Sequence, residues 1–155
     1  MSLKPQRPEA MLSYKTLVFI LLPLAMALSA PESLSQQSAL RIEIVNIQKS
    51  KGKVIVAIYK DKSGWLQNPY KTMIITADEN SKTASFNVPY GKYAVSIFQD
   101  INNNDKLDQN FLGIPKEPIG FGNNYKPLGM PNFESAVVEH SPASKPAAIK
   151  LASIF

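Results

Sequence analysis

The sequence predicts an all-β fold, an antiparallel β-sandwich of about seven strands. Three observations carry that expectation. From Leu40 onward, apolar residues recur with a period of two in short runs, as half-buried strands require. Twelve prolines and seven glycines punctuate those runs, which suits many turns between short elements. No window after the first thirty residues sustains the 3.6-residue period of an amphipathic helix.

The N-terminus reads as an address. Thr16 to Leu28 carry no charge, Lys4, Arg7 and Lys15 precede them, and Ser29, Ala30 and Ser33 follow. A basic start, a short apolar run and small residues after it make a secretory signal peptide. A membrane span needs roughly 20 apolar residues, more than this run offers, and Pro23 interrupts it. The expected organisation is a cleaved leader over residues 1–29, a flexible segment over 30–39 and one β-sandwich domain over 40–155. Met11 is an alternative start, since Lys15 alone supplies a basic region.

Leu40-Arg41-Ile42-Glu43-Ile44 opens the domain with strict alternation. Lys51-Gly52-Lys53 makes a turn into Val54–Tyr59, which is apolar on both faces and therefore suits a central strand. Lys71–Ala77 is third, with Met73 and Ile75 on one face. Thr83–Val88 is fourth and turns Ala84, Phe86 and Val88 inward. Tyr93–Gln99 is fifth and the strongest. Ala136–His140 is sixth, and Ile149 with Leu151 forms a seventh. Pro89-Tyr90-Gly91 delivers Tyr93 to a strand start, where a tyrosine in an immunoglobulin-like or transthyretin-like sandwich can pin the corner through its hydroxyl. The alternative is an ordinary half-buried aromatic.

Residues 100–133 are rich in Asn, Gly and Pro and read as one long ordered loop, anchored by Phe111, Ile114, Phe121, Tyr125 and Phe133. At its start, Asp100, Asn102, Asn104 and Asp108 occupy positions one, three, five and nine of a calcium-loop spacing, with the carbonyl of Lys106 at position seven. A hard cation wants six to eight oxygens, and a tight turn aims alternate side chains at one point. Two departures matter: Asp105 stands where glycine would ease the turn, and Leu112 where a bidentate glutamate belongs. Asp105 can adopt a left-handed backbone, and Glu117 can supply a late carboxylate if the loop folds back. The other reading is a metal-free turn, since Asn and Asp cap backbone N–H groups unaided.

Composition excludes several classes. The absence of cysteine rules out disulfides, thiol catalysis and zinc–thiolate sites, and the single histidine, His140, cannot build a histidine metal centre. His140 reads as a surface residue at a strand end. The net charge of +5 falls to +3 once the leader takes three cations and one anion with it. The remaining lysines are scattered, apart from a loose group at Lys49–Lys53, so nucleic acid is not an expected partner. Neither a G-x-S-x-G elbow, an H-E-x-x-H helix nor a phosphate-binding loop occurs.

The ordered motifs carry a resemblance. They are Gly52-Lys53-Val54-Ile55-Val56-Ala57-Ile58-Tyr59, then Val88-Pro89-Tyr90-Gly91-Lys92-Tyr93, then the Asp100-x-Asn102-x-Asn104-x-x-x-Asp108 loop. Gly113-Ile114-Pro115-Lys116-Glu117, Gly120-Phe121-Gly122-Asn123-Asn124 and Pro131-x-Phe133 follow. Together they resemble the bacterial family called domain of unknown function 2141 over about residues 40–151. The resemblance implies an exported β-sandwich to which no catalytic residues are assigned. It also implies glycine at position 105 and serine at position 122, where this chain has Asp105 and Gly122.

The function expected is therefore non-enzymatic: a binding or cell-envelope accessory module, periplasmic or extracellular, with calcium the one candidate cofactor. Phe121, Tyr125 and Phe133 form either packing or a recognition surface. Trp65 reads as a core plug, with a sugar-stacking platform as its alternative. Candidate partners are a small molecule, a glycan or an envelope protein, without stable membrane insertion of the mature chain. The competing readings are a hydrolase using Asp100, Asp108 and Glu117, and a purely structural envelope subunit.

Overall fold

A computed structural model describes residues 37–154 of the chain. The leader predicted over residues 1–29 lies outside them. Eight strands build two facing sheets: β1 (Gln37–Val45), β2 (Lys53–Tyr59), β3 (Lys71–Thr76), β4 (Ser81–Pro89), β5 (Gly91–Asp100), β6 (Ile119–Phe121), β7 (Val137–His140) and β8 (Ala147–Lys150). One sheet runs β4-β1-β8. The other runs β3-β2-β5-β6, with β7 continuing along the same edge of β5 that β6 occupies. This is the expected all-β sandwich, and the apolar β2 is indeed flanked on both sides.

Alternation places the core. Leu40, Ile42 and Ile44 of β1, Ala84, Phe86 and Val88 of β4, Val54, Val56 and Ile58 of β2, and Tyr93, Val95 and Ile97 of β5 are buried between the sheets, with Met73 and Ile75 packed against them. Burial of an apolar side chain of this size contributes roughly 1.5–3 kcal/mol, so this layer dominates the stability. Tyr93 pins its corner as predicted, donating its hydroxyl to the Pro89 carbonyl at 2.7 Å.

Three details differ from the sequence reading. The described residues hold eight strands, one more than the seven read individually, because Ile119-Gly120-Phe121 pairs with Phe98-Ile97-Ser96; a three-residue strand is too short to show a period. β8 pairs with β1 in parallel, Ile42 opposite Ala147, so the sandwich is not wholly antiparallel. β1 begins at Gln37 rather than Leu40, since the neighbouring β4 extends to Pro89 and keeps pairing available.

The five-stranded sheet also buries part of its outer face. Ala57, Tyr59, Ala94, Phe121 and Ala136 form a second cluster there, roofed by Trp65, Tyr125 and Phe133. Trp65 packs edge-on against Tyr59 at 4.9 Å and Phe133 at 5.8 Å, and its indole N–H donates to the Pro131 carbonyl at 2.8 Å. It is thus a half-buried staple joining two distant segments, rather than a plug in the main core.

Candidate functional site: an acidic loop and an apolar cleft

β5 ends on Asp100, whose side chain is fully buried. The chain then turns tightly, with Asn103 and Asp105 in the left-handed region at φ 60° and 64°. Asp105 therefore accepts the conformation that glycine takes most cheaply. The oxygens of Asp100 accept the N–H groups of Asn104 at 3.1 Å and Asp105 at 2.8 Å. Asn102 Oδ1 accepts Asn104 N–H at 3.2 Å, and Asn104 Oδ1 accepts Lys106 N–H at 2.9 Å. Both amide groups point back at Asp108: Asn102 Nδ2 lies 2.7 Å from one oxygen and Asn104 Nδ2 3.2 Å from the other. Asp100, Asn102, Asn104, Lys106 and Asp108 are thus gathered into one hydrogen-bonded turn.

Two residues from outside that spacing complete it. Glu117, 4% exposed, folds back and accepts Ile101 N–H at 2.8 Å with one oxygen and Asp108 N–H at 3.0 Å with the other. It closes the loop as a staple across its backbone. Lys53 enters from β2, 2.6 Å from Asp105 and 3.5 Å from Asp100, so one lysine of the loose Lys49–Lys53 group is engaged here. Burial alone would raise the Asp100 carboxyl; the N–H groups of Asp105 and Asn104 and the Lys53 ammonium outweigh it and hold the group below its ordinary value. Gly52 lets the preceding turn back onto this site, since a Cβ there would sit 1.8 Å from the Asp100 carbonyl oxygen.

Among the described residues no three His, Asp or Glu side chains gather closely enough to hold a metal by themselves. A cation at this loop would rely on asparagine and carbonyl oxygens. The six carboxylate oxygens of Asp100, Asp108 and Glu117 all accept N–H donors.

A second feature lies at the edge of the sandwich. Ile119, Phe121 and Tyr125 face Ile154 across a cleft of about 550 Å³, with Lys126 and Lys150 also lining it. Asn124 fixes its geometry by behaving as a strand: its side chain donates to the Ala148 carbonyl at 2.9 Å and accepts Lys150 N–H at 2.7 Å. Asn123 ties the same turn to Val137 at 2.6 Å. Asn123 and Asn124 thereby couple β7 of one sheet to β8 of the other. Gly122 must lack a side chain, because a Cβ would lie 2.0 Å from the Ala136 carbonyl oxygen; the serine implied at this position would not fit this backbone.

From the cleft an apolar row crosses the sheet's outer face. Ile119 pairs with Phe98, Phe98 with Ile55 and Ile55 with Ile74, each directly opposite the next. Sequence reasoning identified Phe121 and Tyr125 here but missed Lys126, their neighbour in the chain, and Lys150 and Ile154, which the parallel β8 and the residues after it bring alongside.

Two expectations about individual residues are overturned. His140 is buried, 4% exposed, with its ring 5.0 Å from that of Tyr90, because β7 docks along β5 and turns this residue inward. Phe111, expected to anchor the long loop, is 94% exposed; the anchoring falls instead to Phe121, Tyr125 and Phe133.

Residues 42–147 match the family described as "Uncharacterized protein conserved in bacteria (DUF2141)". No curated protein and no solved structure matches the chain.

Proposed function

The chain belongs to the bacterial DUF2141 family, and from that premise we propose that it is an exported, non-enzymatic binding module of the cell envelope, periplasmic or extracellular. Export rests on the basic, apolar and small-residue succession of the leader. The observation that carries the binding reading is the cleft between Phe121, Tyr125 and Ile154. Its volume of about 550 Å³ falls within the range of small-molecule sites, and its lining is more apolar than polar. Lys126 and Lys150 add cationic groups to its lining. The ligand class that fits is a small, mainly apolar molecule carrying one anionic group. The non-enzymatic reading rests on the sequence, which carries neither a G-x-S-x-G elbow, an H-E-x-x-H helix nor a phosphate-binding loop.

The acidic loop serves this module as a rigid closure, and calcium is the cofactor proposed for it. A half-turn of the Asn102 or Asn104 side-chain amide would replace an N–H group facing Asp108 with an oxygen, the donor a hard cation selects. The oxygens of Asp100, Asn102, Asn104 and Asp108 with the Lys106 carbonyl would then form an incomplete set, giving affinity on the order of 10⁻⁴ to 10⁻³ M.

The cleft is tested by titrating the purified protein with a panel of fatty acids, aromatic carboxylates and neutral oligosaccharides, read by calorimetry. At least one apolar acid is expected to bind saturably, and Tyr125→Ala or the pair Lys126→Glu and Lys150→Glu should weaken it at least about tenfold, the worth of one lost contact of about 1.4 kcal/mol. No binding across the panel, or binding indifferent to both variants, overturns the reading.

A further inference from the structure

The hairpin at residues 108–116 is closed by its own hydrogen bonds and carries two exposed apolar side chains at its tip. Gln109 bridges to Pro115, Asn110 N–H donates to the Ile114 carbonyl at 2.9 Å, and Lys116 N–H donates to Asp108 at 2.8 Å. Across the turn, Gly113 N–H donates to the Asn110 carbonyl at 2.9 Å, and Asn110 Oδ1 accepts the N–H groups of Leu112 and Ile114 at 2.9 and 3.0 Å. Gly113 sits at φ 76°, the left-handed position that closes such a loop. Asn110 and Gly113 therefore specify the turn. Phe111 and Leu112 are not buried by it: they are 94% and 67% exposed.

We propose that this tip docks the protein on a lipid bilayer, with Phe111 and Leu112 entering the boundary between headgroups and acyl chains. Three arguments favour lipid over a protein partner. The two side chains offer roughly 300 Å² of apolar surface, well short of the ~800 Å² per partner that a specific protein interface uses. A bilayer asks for no complementary patch, only for apolar groups at the right depth. Lys106 and Lys116 are exposed and make no ion pair among the described residues, so their stems can lie along the interface with the ammonium groups at phosphate level. The backbone is already pinned, so little conformational freedom is lost on docking.

Charge selects the kind of surface. Four carboxylates (Asp100, Asp105, Asp108 and Glu117) stand against three lysines (Lys53, Lys106 and Lys116) in and around the loop, one negative charge in excess. An anionic bilayer thus offers no electrostatic gain, and a zwitterionic one suffices. The inference depends on neither the cleft nor calcium.

The test introduces Phe111→Trp and follows its emission with phosphatidylcholine vesicles carrying brominated acyl chains, in EDTA. Trp65, the single native tryptophan, supplies a constant background from within its aromatic cluster. The expected result is a blue shift and quenching of the introduced indole. The association constant should be on the order of 10² to 10³ M⁻¹, below the ~10⁴ M⁻¹ of a single myristoyl chain. Leu112→Ser in the same background should lower the constant at least about threefold with a melting temperature within about 2 °C, since two thirds of the side chain is exposed. Tyr125→Ala should leave it unchanged, which separates this result from the cleft reading. An introduced indole that stays unquenched at about 10 mM lipid overturns the proposal, including the case in which the chain reaches vesicles through another segment.

Discussion

Glu117→Gln probes the staple that closes the acidic loop. In the native protein its two oxygens accept Ile101 N–H at 2.8 Å and Asp108 N–H at 3.0 Å from a buried position. Glutamine keeps one acceptor of similar shape and sets an NH₂ against the other N–H donor. A hydrogen bond to a charged group contributes about 1.5–3 kcal/mol, and an unsatisfied buried N–H costs about 1–3 kcal/mol. The neutral amide is cheaper to bury than the carboxylate, which offsets part of the loss. The net expectation is a loss of about 2 kcal/mol. For a domain of this size that corresponds to a fall in melting temperature of roughly 8 °C. The assay is thermal unfolding in EDTA, paired with amide hydrogen exchange. Ile101 and Asp108 should lose protection while the β2 and β5 amides keep theirs, because those strands are held by their own ladder. Glu117→Ala, which removes both acceptors, should cost more. A melting temperature within 2 °C of wild type, with Ile101 and Asp108 still protected, would refute the assignment of Glu117 as the staple.

Two further outcomes follow from the same loop. Because the Asp100 carboxyl titrates below its ordinary value in the folded chain, its contribution is fully present above the unfolded value of about 3.9 and disappears as pH falls through the lower folded value. The gap in melting temperature between wild type and Asp100→Asn should therefore stay constant from about pH 7 to 5 and close below about pH 4; a gap that persists to pH 2 would contradict it. Calorimetric titration with calcium should show weak heat that EDTA removes and that Asp100→Ala or Asp108→Ala abolishes. No heat and no rise in melting temperature at millimolar calcium would dismiss the cation.

Individual residues show why some of this was legible in the sequence. Strand positions with an alternating partner two residues away, such as Ile42 with Ile44 or Phe86 with Val88, announce their face locally, and each is buried as read. The Tyr93 corner was legible because its acceptor, Pro89, lies four residues away. The loop spacing from Asp100 to Asp108 was equally local, and its side chains do join in one hydrogen-bonded turn, with the Asn102 and Asn104 amide nitrogens, rather than their oxygens, facing Asp108. Phe111 misled because hydrophobicity alone suggests burial, whereas Asn110 and Gly113 hold it at a turn tip. His140 misled because a polar residue at a strand end looks solvated until a neighbouring aromatic pair covers it.

Residues close along the chain determined the short strands, the corner and the oxygen-rich turn, because alternation and turn chemistry act over two to five residues. Only the tertiary structure decided what lies across the molecule. Examples are Lys53 beside Asp105, 52 positions away, Trp65 bonded to Pro131, 66 positions away, and Asn124 filling the edge of β8. The physical reason is that such pairings depend on which sheet edge remains free once the core has closed. That is a property of the assembled sandwich, and no local period encodes it.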